Sequence, residues 1–301
     1  MNKKKSKYKK FTALIIKKIR KARILKFLSK YSKKPYSIWQ HLVLLTFRQM
    51  LSLSYREFIS WLENSKLLVI PDLKSIPQFT TLHKFTKRAH PAWLRAVVSQ
   101  AISLTKIHKL IICIDSTGFS YRYGSSYYCD RTIVVKKRTR WIKLSIAADA
   151  KTQLILNSKI KMTPSNDYQD LMPLLSNLKD KNISYVCADK GYDSKTNHEY
   201  LTKQLKTRSL IAVRNTISSH NRKTIRKKIA KNFNKKLYHQ RSKAETIFSV
   251  IKRVYGSTLK SKKFYMRAKE ILFKIIAYNT TRLLKITIIL IKDFYKADST
   301  I

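Results

Sequence analysis

Along the first third of the chain, apolar positions recur at helical spacing; near Lys109 the spacing changes. Leu14, Ile15, Ile16, Ile19, Ile24 and Leu25 mark one face of a basic amphipathic helix over residues 11–28. Ile38–Met50 reads as a second helix and residues 54–64 as a third, opened by the capping-box pair Ser54 and Glu57. A fourth opens at Phe79-Thr80-Thr81 and closes on Lys87-Arg88, and Pro91 starts one that runs to about Thr105. Leu110-Ile-Ile-Cys-Ile-Asp115 is then a continuous apolar, β-branched run, the mark of a strand buried on both faces, with Asp115 at its end. Residues 141–148, 154–160, 184–189 and 209–213 predict four more strands, the 184–189 strand again ending on an aspartate, Asp189. Helices follow Pro164 (through Leu171, Leu174 and Leu175) and the Asp193-Ser194 cap, the latter to about Leu205. The last clear helix spans residues 238–252, free of Gly and Pro, with Gly256 as its stop. Strands and helices in this order make a mixed α/β layout behind an all-helical start.

Charge changes the picture most. The 301 residues carry 65 Lys+Arg against 16 Asp+Glu, a formal net charge of +49, alongside 44% hydrophobic residues that suffice for a core. Such a chain repels itself unless a polyanion is its usual neighbour, and nucleic acid is the common one; a lysine-rich proteome or a membrane surface are the competing explanations. Residues 1–34 hold fifteen Lys/Arg and no acid, which suits an arm on the DNA backbone, a membrane-surface helix or a transit peptide. The longest uncharged run, residues 35–47, has 13 residues, well short of the roughly 20 that span a bilayer. Cys113, Cys129 and Cys187 have no metal-binding spacing and read as small buried fillers in a reducing compartment.

With acids this scarce, those in strands are informative. Residues 238–252 place Tyr238, Arg241 and Lys252 within roughly 40° of Glu245 on a helical wheel. Arg241 and Glu245 alone make an ordinary i,i+4 pair. Two strand aspartates plus Glu245 make an oxygen-rich set suited to hard divalent cations such as Mg²⁺, and two such ions clamp the oxygens of a phosphodiester. On that reading Arg241 and Lys252 face phosphate instead of pairing with Glu245. Asp170 is read as local structure at a helix start. In the helical region, Thr80, Thr81, Lys84, Lys87 and Arg88 resemble the start and end of a helix-turn-helix reader, although a short packing helix fits equally.

Asp115 in Ile-Asp-Ser-Thr-Gly, Asp189 in Ala-Asp-Lys-Gly-Tyr-Asp and the element Tyr238-x2-Arg241-x3-Glu245-x6-Lys252 together resemble the DDE-class insertion-sequence transposases of bacteria and archaea. The likeness covers roughly residues 36–285. It implies an RNase H-like mixed central sheet flanked by helices, preceded by an all-helical DNA-binding lobe. The implied division is a basic arm (1–35), a helical DNA-binding domain (36–106), a catalytic domain (107–285) and a C-terminal tail (286–301). Asp115, Asp189 and Glu245 would hold two Mg²⁺ or Mn²⁺ ions that activate water to nick the element's end and then position its 3′-OH for attack on target DNA. Arg241 and Lys252 would touch phosphates and Tyr238 the transferred end, with Lys190 and Tyr192 as weaker candidates for the same wall. The implied partners are the terminal inverted repeats, target DNA and a second copy in a synaptic homodimer, in the cytoplasm with the nucleoid and without a membrane. Two alternatives remain at this point: an RNase H-like nuclease without strand transfer, and an inactive DNA-binding copy.

Overall fold

The computed structural model describes residues 3–29, 31, 35–65, 70–105, 109–121, 141–162, 165–214 and 225–298. Cys129 and Pro164 lie outside them. The chain divides into two compact units. One comprises residues 1–104, 253–256 and 261–301, and the other residues 105–252 and 257–260.

The first unit is helical: α1 (Lys3–Lys21), α2 (Ile38–Met50), α3 (Tyr55–Asn64), α4 (Phe79–Arg88) and α5 (Pro91–Ser99), joined by a helix at Phe264–Asp298. Both capping boxes form: Ser37 with Gln40 opens α2, and Ser54 with Glu57 opens α3. Phe11, Ile15 and Ile19 of α1 are fully buried, as are Leu44, Phe58, Leu82, Leu94 and Phe273. The apolar stripe of α1 at Phe11, Ile15 and Ile19 is therefore packed within this unit. Even the basic face contributes: Lys18 is buried, donates to Thr280 Oγ1 at 2.5 Å, and burial pulls its ammonium down to about 7. Lys269 donates to the carbonyls of Thr86 and Lys87 at 2.9 and 2.8 Å, satisfying the end of α4. The helix at 264–298 belongs with this unit and runs unbroken through residues 285 and 286. Residues 65–78 separate α3 from α4, a longer connection than the three or four residues of a helix-turn-helix turn. Among the described residues no helix is long and apolar enough to cross a membrane.

The second unit is built on five strands, β1 (Leu110–Ser120), β2 (Trp141–Asp149), β3 (Ile155–Lys161), β4 (Ile183–Ala188) and β5 (Arg208–Ile211), in the order β3-β2-β1-β4-β5. β1 is antiparallel to β2 and parallel to β4; β3 is antiparallel to β2 and β5 parallel to β4. That is the RNase H-like sheet the resemblance implied. Ile112, Cys113, Ile114, Val186, Cys187 and Ala188 are all buried, as central strands covered on both faces require. Cys113 stands opposite Cys187 in register. Short helices at Leu171–Leu175 (α6), Lys195–Glu199 (α7), Ile225–Lys231 (α8) and Lys235–Tyr238 (α9) precede α10, Ser242–Tyr255. Ser194 caps α7, accepting from the Asn197 N–H, and Gly256 ends α10 at φ +86°, where a side chain would be strained.

Two expectations change. β1 does not stop at Asp115 but runs on to Ser120, paired there with β2 and, at Ser120, bridged to Thr258. The helix expected from Tyr238 starts instead at Ser242, after α9 and a tight turn at His239–Arg241. No Gly or Pro marks that break, so nothing in the sequence announced it.

Candidate active site

Asp115 lies where the two central strands part. The last β1–β4 pair is Ile114 with Ala188, so Asp115 and Asp189 are the next residues on each chain. β1 continues beside β2, with Asp115 opposite Ile146, while Asp189 begins the turn Lys190–Tyr192. The two acids thus leave neighbouring strands at one level, a placement the apolar runs before each had suggested.

Glu245 joins them from the first turn of α10. Its Oε1 is 2.7 Å from Arg241 Nη1, and the same nitrogen is 3.9 Å from Asp115 Oδ2. Arg241 is therefore paired with Glu245, contrary to the expectation that it faces phosphate alone. Its guanidinium is the cation shared by two of the three acids. Burial pushes the Asp115 carboxyl up to about 6; the Ser116 N–H and Arg241 draw it down, while Glu245 and Asp189 push it further up. Tyr238 donates to Asp189 Oδ1 at 3.5 Å, and Lys252 donates to Thr117 Oγ1 at 2.7 Å, on the strand that carries Asp115. All four residues of the Tyr-Arg-Glu-Lys element thus reach the Asp115–Asp189 region, although Tyr238 and Arg241 precede the helix that holds Glu245 and Lys252. Lys190 is exposed beside Asp189, whereas Tyr192 is fully buried and is a core residue, not part of a DNA-facing wall.

The donor set of Asp115, Asp189 and Glu245 is all carboxylate, which fits a hard divalent cation, and burial, with smaller pushes from Glu245 and Asp189, raises the Asp115 carboxyl. Among the described residues, however, no three potential ligands stand close enough to hold an ion as they are. The chemistry fits, and Arg241 occupies the charge role between two of the acids.

Beneath this set lie acids that sequence reasoning underrated. Asp170 is fully buried amid Lys143, Lys159 and Lys161 at 3.3, 3.1 and 2.5 Å, and accepts from Ser145 Oγ at 2.9 Å. Burial alone would raise its carboxyl, but these hydrogen bonds and the Lys143 charge hold it at about 2. This bears out the reading of Asp170 as structure, on a larger scale than a helix start. Asp193, the second acid of Ala-Asp-Lys-Gly-Tyr-Asp, is likewise buried and is bound by Arg226, by the Arg214 N–H at 2.9 Å and by His198 Nε2 at 2.9 Å. The alternation of Lys159 and Lys161 on one strand face was the available signal for the first cluster; Arg226 gave none.

In the helical unit, Thr80 and Thr81 are half-buried and Lys84, Lys87 and Arg88 are exposed.

A five-stranded sheet of this order, with acids at the parting of its parallel central pair, is an RNase H-like domain. Residues 107–280, more than half of the chain, match the transposase DDE domain, and the chain belongs to that family. Among solved structures it is similar to the piggyBac transposase synaptic complex with hairpin DNA, determined by cryo-EM. The TM-score is 0.48 and the identity 13%, over 91% of this chain and 73% of that one, too distant to transfer residues. No curated protein matches the chain in sequence.

Proposed function

We propose that this chain is the transposase of an insertion sequence: it binds the element's terminal inverted repeats, cuts DNA in a metal-dependent reaction and joins the freed 3′-OH to target DNA. The observation that carries the reading is the match of residues 107–280 to the transposase DDE domain; Asp115 and Asp189 just past the last β1–β4 pair, with Glu245 and Asp189 each pushing the Asp115 carboxyl up beyond what burial does, support these three as its acids. Two bound Mg²⁺ or Mn²⁺ ions, held by these three carboxylates, would supply Lewis acidity at the scissile phosphate and lower the pKa of the attacking hydroxyl. With Glu245 engaged by a cation, Arg241 would be free to donate to phosphate. Lys252, seated on Thr117 with its ammonium pulled down by burial, faces the same place and gains from a phosphate partner. Tyr238 and Lys190 flank Asp189 and position the transferred end. In the helical unit the exposed Lys84, Lys87 and Arg88, with Thr80 and Thr81 at the start of α4, contact the terminal repeat. The net charge of +49 supports a DNA partner throughout, with an affinity that falls steeply as salt rises. Bringing two ends together calls for a homodimer on DNA.

The test uses full-length protein, Mg²⁺ and DNA carrying the inverted repeats that flank its coding sequence. Wild type should cleave and join. Asp115→Asn, Asp189→Asn and Glu245→Gln should each lower cleavage by roughly 10³-fold or more while DNA binding survives. Normal cleavage by Glu245→Gln would remove the assignment. Cleavage without joining would establish the nuclease instead.

A further inference from the structure

The pairing of β1 with β4 ends one residue before the two aspartates, so Asp115 and Asp189 do not themselves form a rung and the strands part beside them. One side chain bridges that gap. Asp167, from the segment after β3, accepts a hydrogen bond at Oδ1 from Ser116 Oγ at 2.8 Å, directly beside Asp115. Its other oxygen lies against the turn that follows Asp189: a Cβ built on Gly191 would meet Asp167 Oδ2 at 2.9 Å and its Cβ at 3.3 Å. Gly191 is thus glycine for the space Asp167 takes. Lys143 Nζ holds the carboxylate from β2 at 2.6 Å. Asn197 Nδ2 ties the same two segments again, donating to the carbonyls of Tyr168 at 2.9 Å and Tyr192 at 2.8 Å.

We propose that Asp167 is a positioning residue that sets the separation of Asp115 and Asp189. It touches neither acid: it holds Ser116 on one side and the Gly191 backbone on the other, as a wedge of fixed width. The proposal rests on the reading of Asp115 and Asp189 as metal ligands. A shift of about 1 Å between reacting groups costs roughly 100-fold in rate, so a spacer of this kind acts on catalysis without entering it. The rival role is that Asp167 only neutralises Lys143, in which case its shape is irrelevant and its charge is everything.

Shape and charge are separable. Mn²⁺ binding to full-length protein without DNA is measured by titration calorimetry for each variant, with a thermal melt alongside. Asp167→Ala should weaken Mn²⁺ binding by roughly 10-fold and Mg²⁺-dependent cleavage by about 100-fold, with DNA affinity unchanged. Asp167→Asn keeps the width and an acceptor for Ser116, and should stay near wild type. Gly191→Ala should weaken binding as Asp167→Ala does, and the double variant Asp167→Ala/Gly191→Ala should bind better than Gly191→Ala alone, because the added methyl then has room. If Asp167→Ala does not fold, Ser116→Ala carries the same expectation at smaller size. Asn as damaging as Ala, or a Gly191→Ala defect indifferent to Asp167, would overturn the spacer. Failure of the underlying reading is visible separately: wild type and Asp115→Asn would then bind Mn²⁺ alike, and the spacer would fall with the metal site.

Discussion

Two sets of acids share the sheet unit and are treated in opposite ways. Asp170 and Asp193 are buried and surrounded by donors: three lysines and a serine for one, an arginine, a histidine and a backbone N–H for the other. Asp115, Asp189 and Glu245 stand nearer the surface with one guanidinium between two of them and a long tyrosine contact for the third. In a chain with four times as many basic as acidic residues, that shortage is local and not a matter of supply. The first set holds the fold together. The second has fewer cationic partners, a local charge imbalance that supports the proposed reading of these acids as cation ligands.

Replacing acids one at a time sharpens the contrast. Asp170→Ala should be the most damaging, leaving three lysines around an empty buried position, and should destabilise by about 3–5 kcal/mol in denaturant unfolding. A loss under 1 kcal/mol would mean the cluster is not structural. Asp115→Asn should do the reverse. Its carboxyl is raised from an unfolded value near 4 to about 6, so the folded state binds more protons between those pH values. Stability is lost as pH rises through that window, and the asparagine should recover up to about 3 kcal/mol above pH 6 and nothing below pH 4. Destabilisation by Asp115→Asn at pH 8 without metal would break the comparison. Arg241→Gln should tighten Mn²⁺ binding by roughly 5-fold in calorimetry without DNA, since the competing guanidinium is gone, and should weaken DNA binding. Unchanged Mn²⁺ affinity would show that Arg241 does not compete. The surface i,i+4 pair of half-buried Glu199 and exposed Lys203, 3.3 Å apart, is the control: Glu199→Ala should shift stability by no more than about 0.5 kcal/mol.

Much of this was legible before any coordinates. The apolar run before Asp115 and the shorter one before Asp189 gave both central strands, because burial on two faces leaves no room for polar residues. Ser54 with Glu57, Ser194 and Gly256 announced helix ends by local chemistry, and each acts where expected. What stayed hidden depends on contacts far apart in sequence. Nothing near Asp115 says that β1 should outlast β4, and nothing near Arg241 says that the helix waits until Ser242. The partners of Asp167 include Ser116 on β1 and the turn at Gly191, those of Asp170 are lysines on β2 and β3, and the burial of the basic helix α1 comes from its apolar stripe finding partners. Those are facts of tertiary packing that a run of residues does not encode locally.

Cys113 and Cys187 are paired in register on β1 and β4, each two residues before one of the aspartates Asp115 and Asp189. Both are fully buried, and burial pushes the Cys187 thiol up to about 12, so at neutral pH almost none of it is thiolate even if reached. In a chain with Cys129 replaced by serine, their alkylation therefore keeps time with the parting of this strand pair. A slow labelling rate reports that the ledge under the acids is closed, and any ligand that braces the ledge slows the clock.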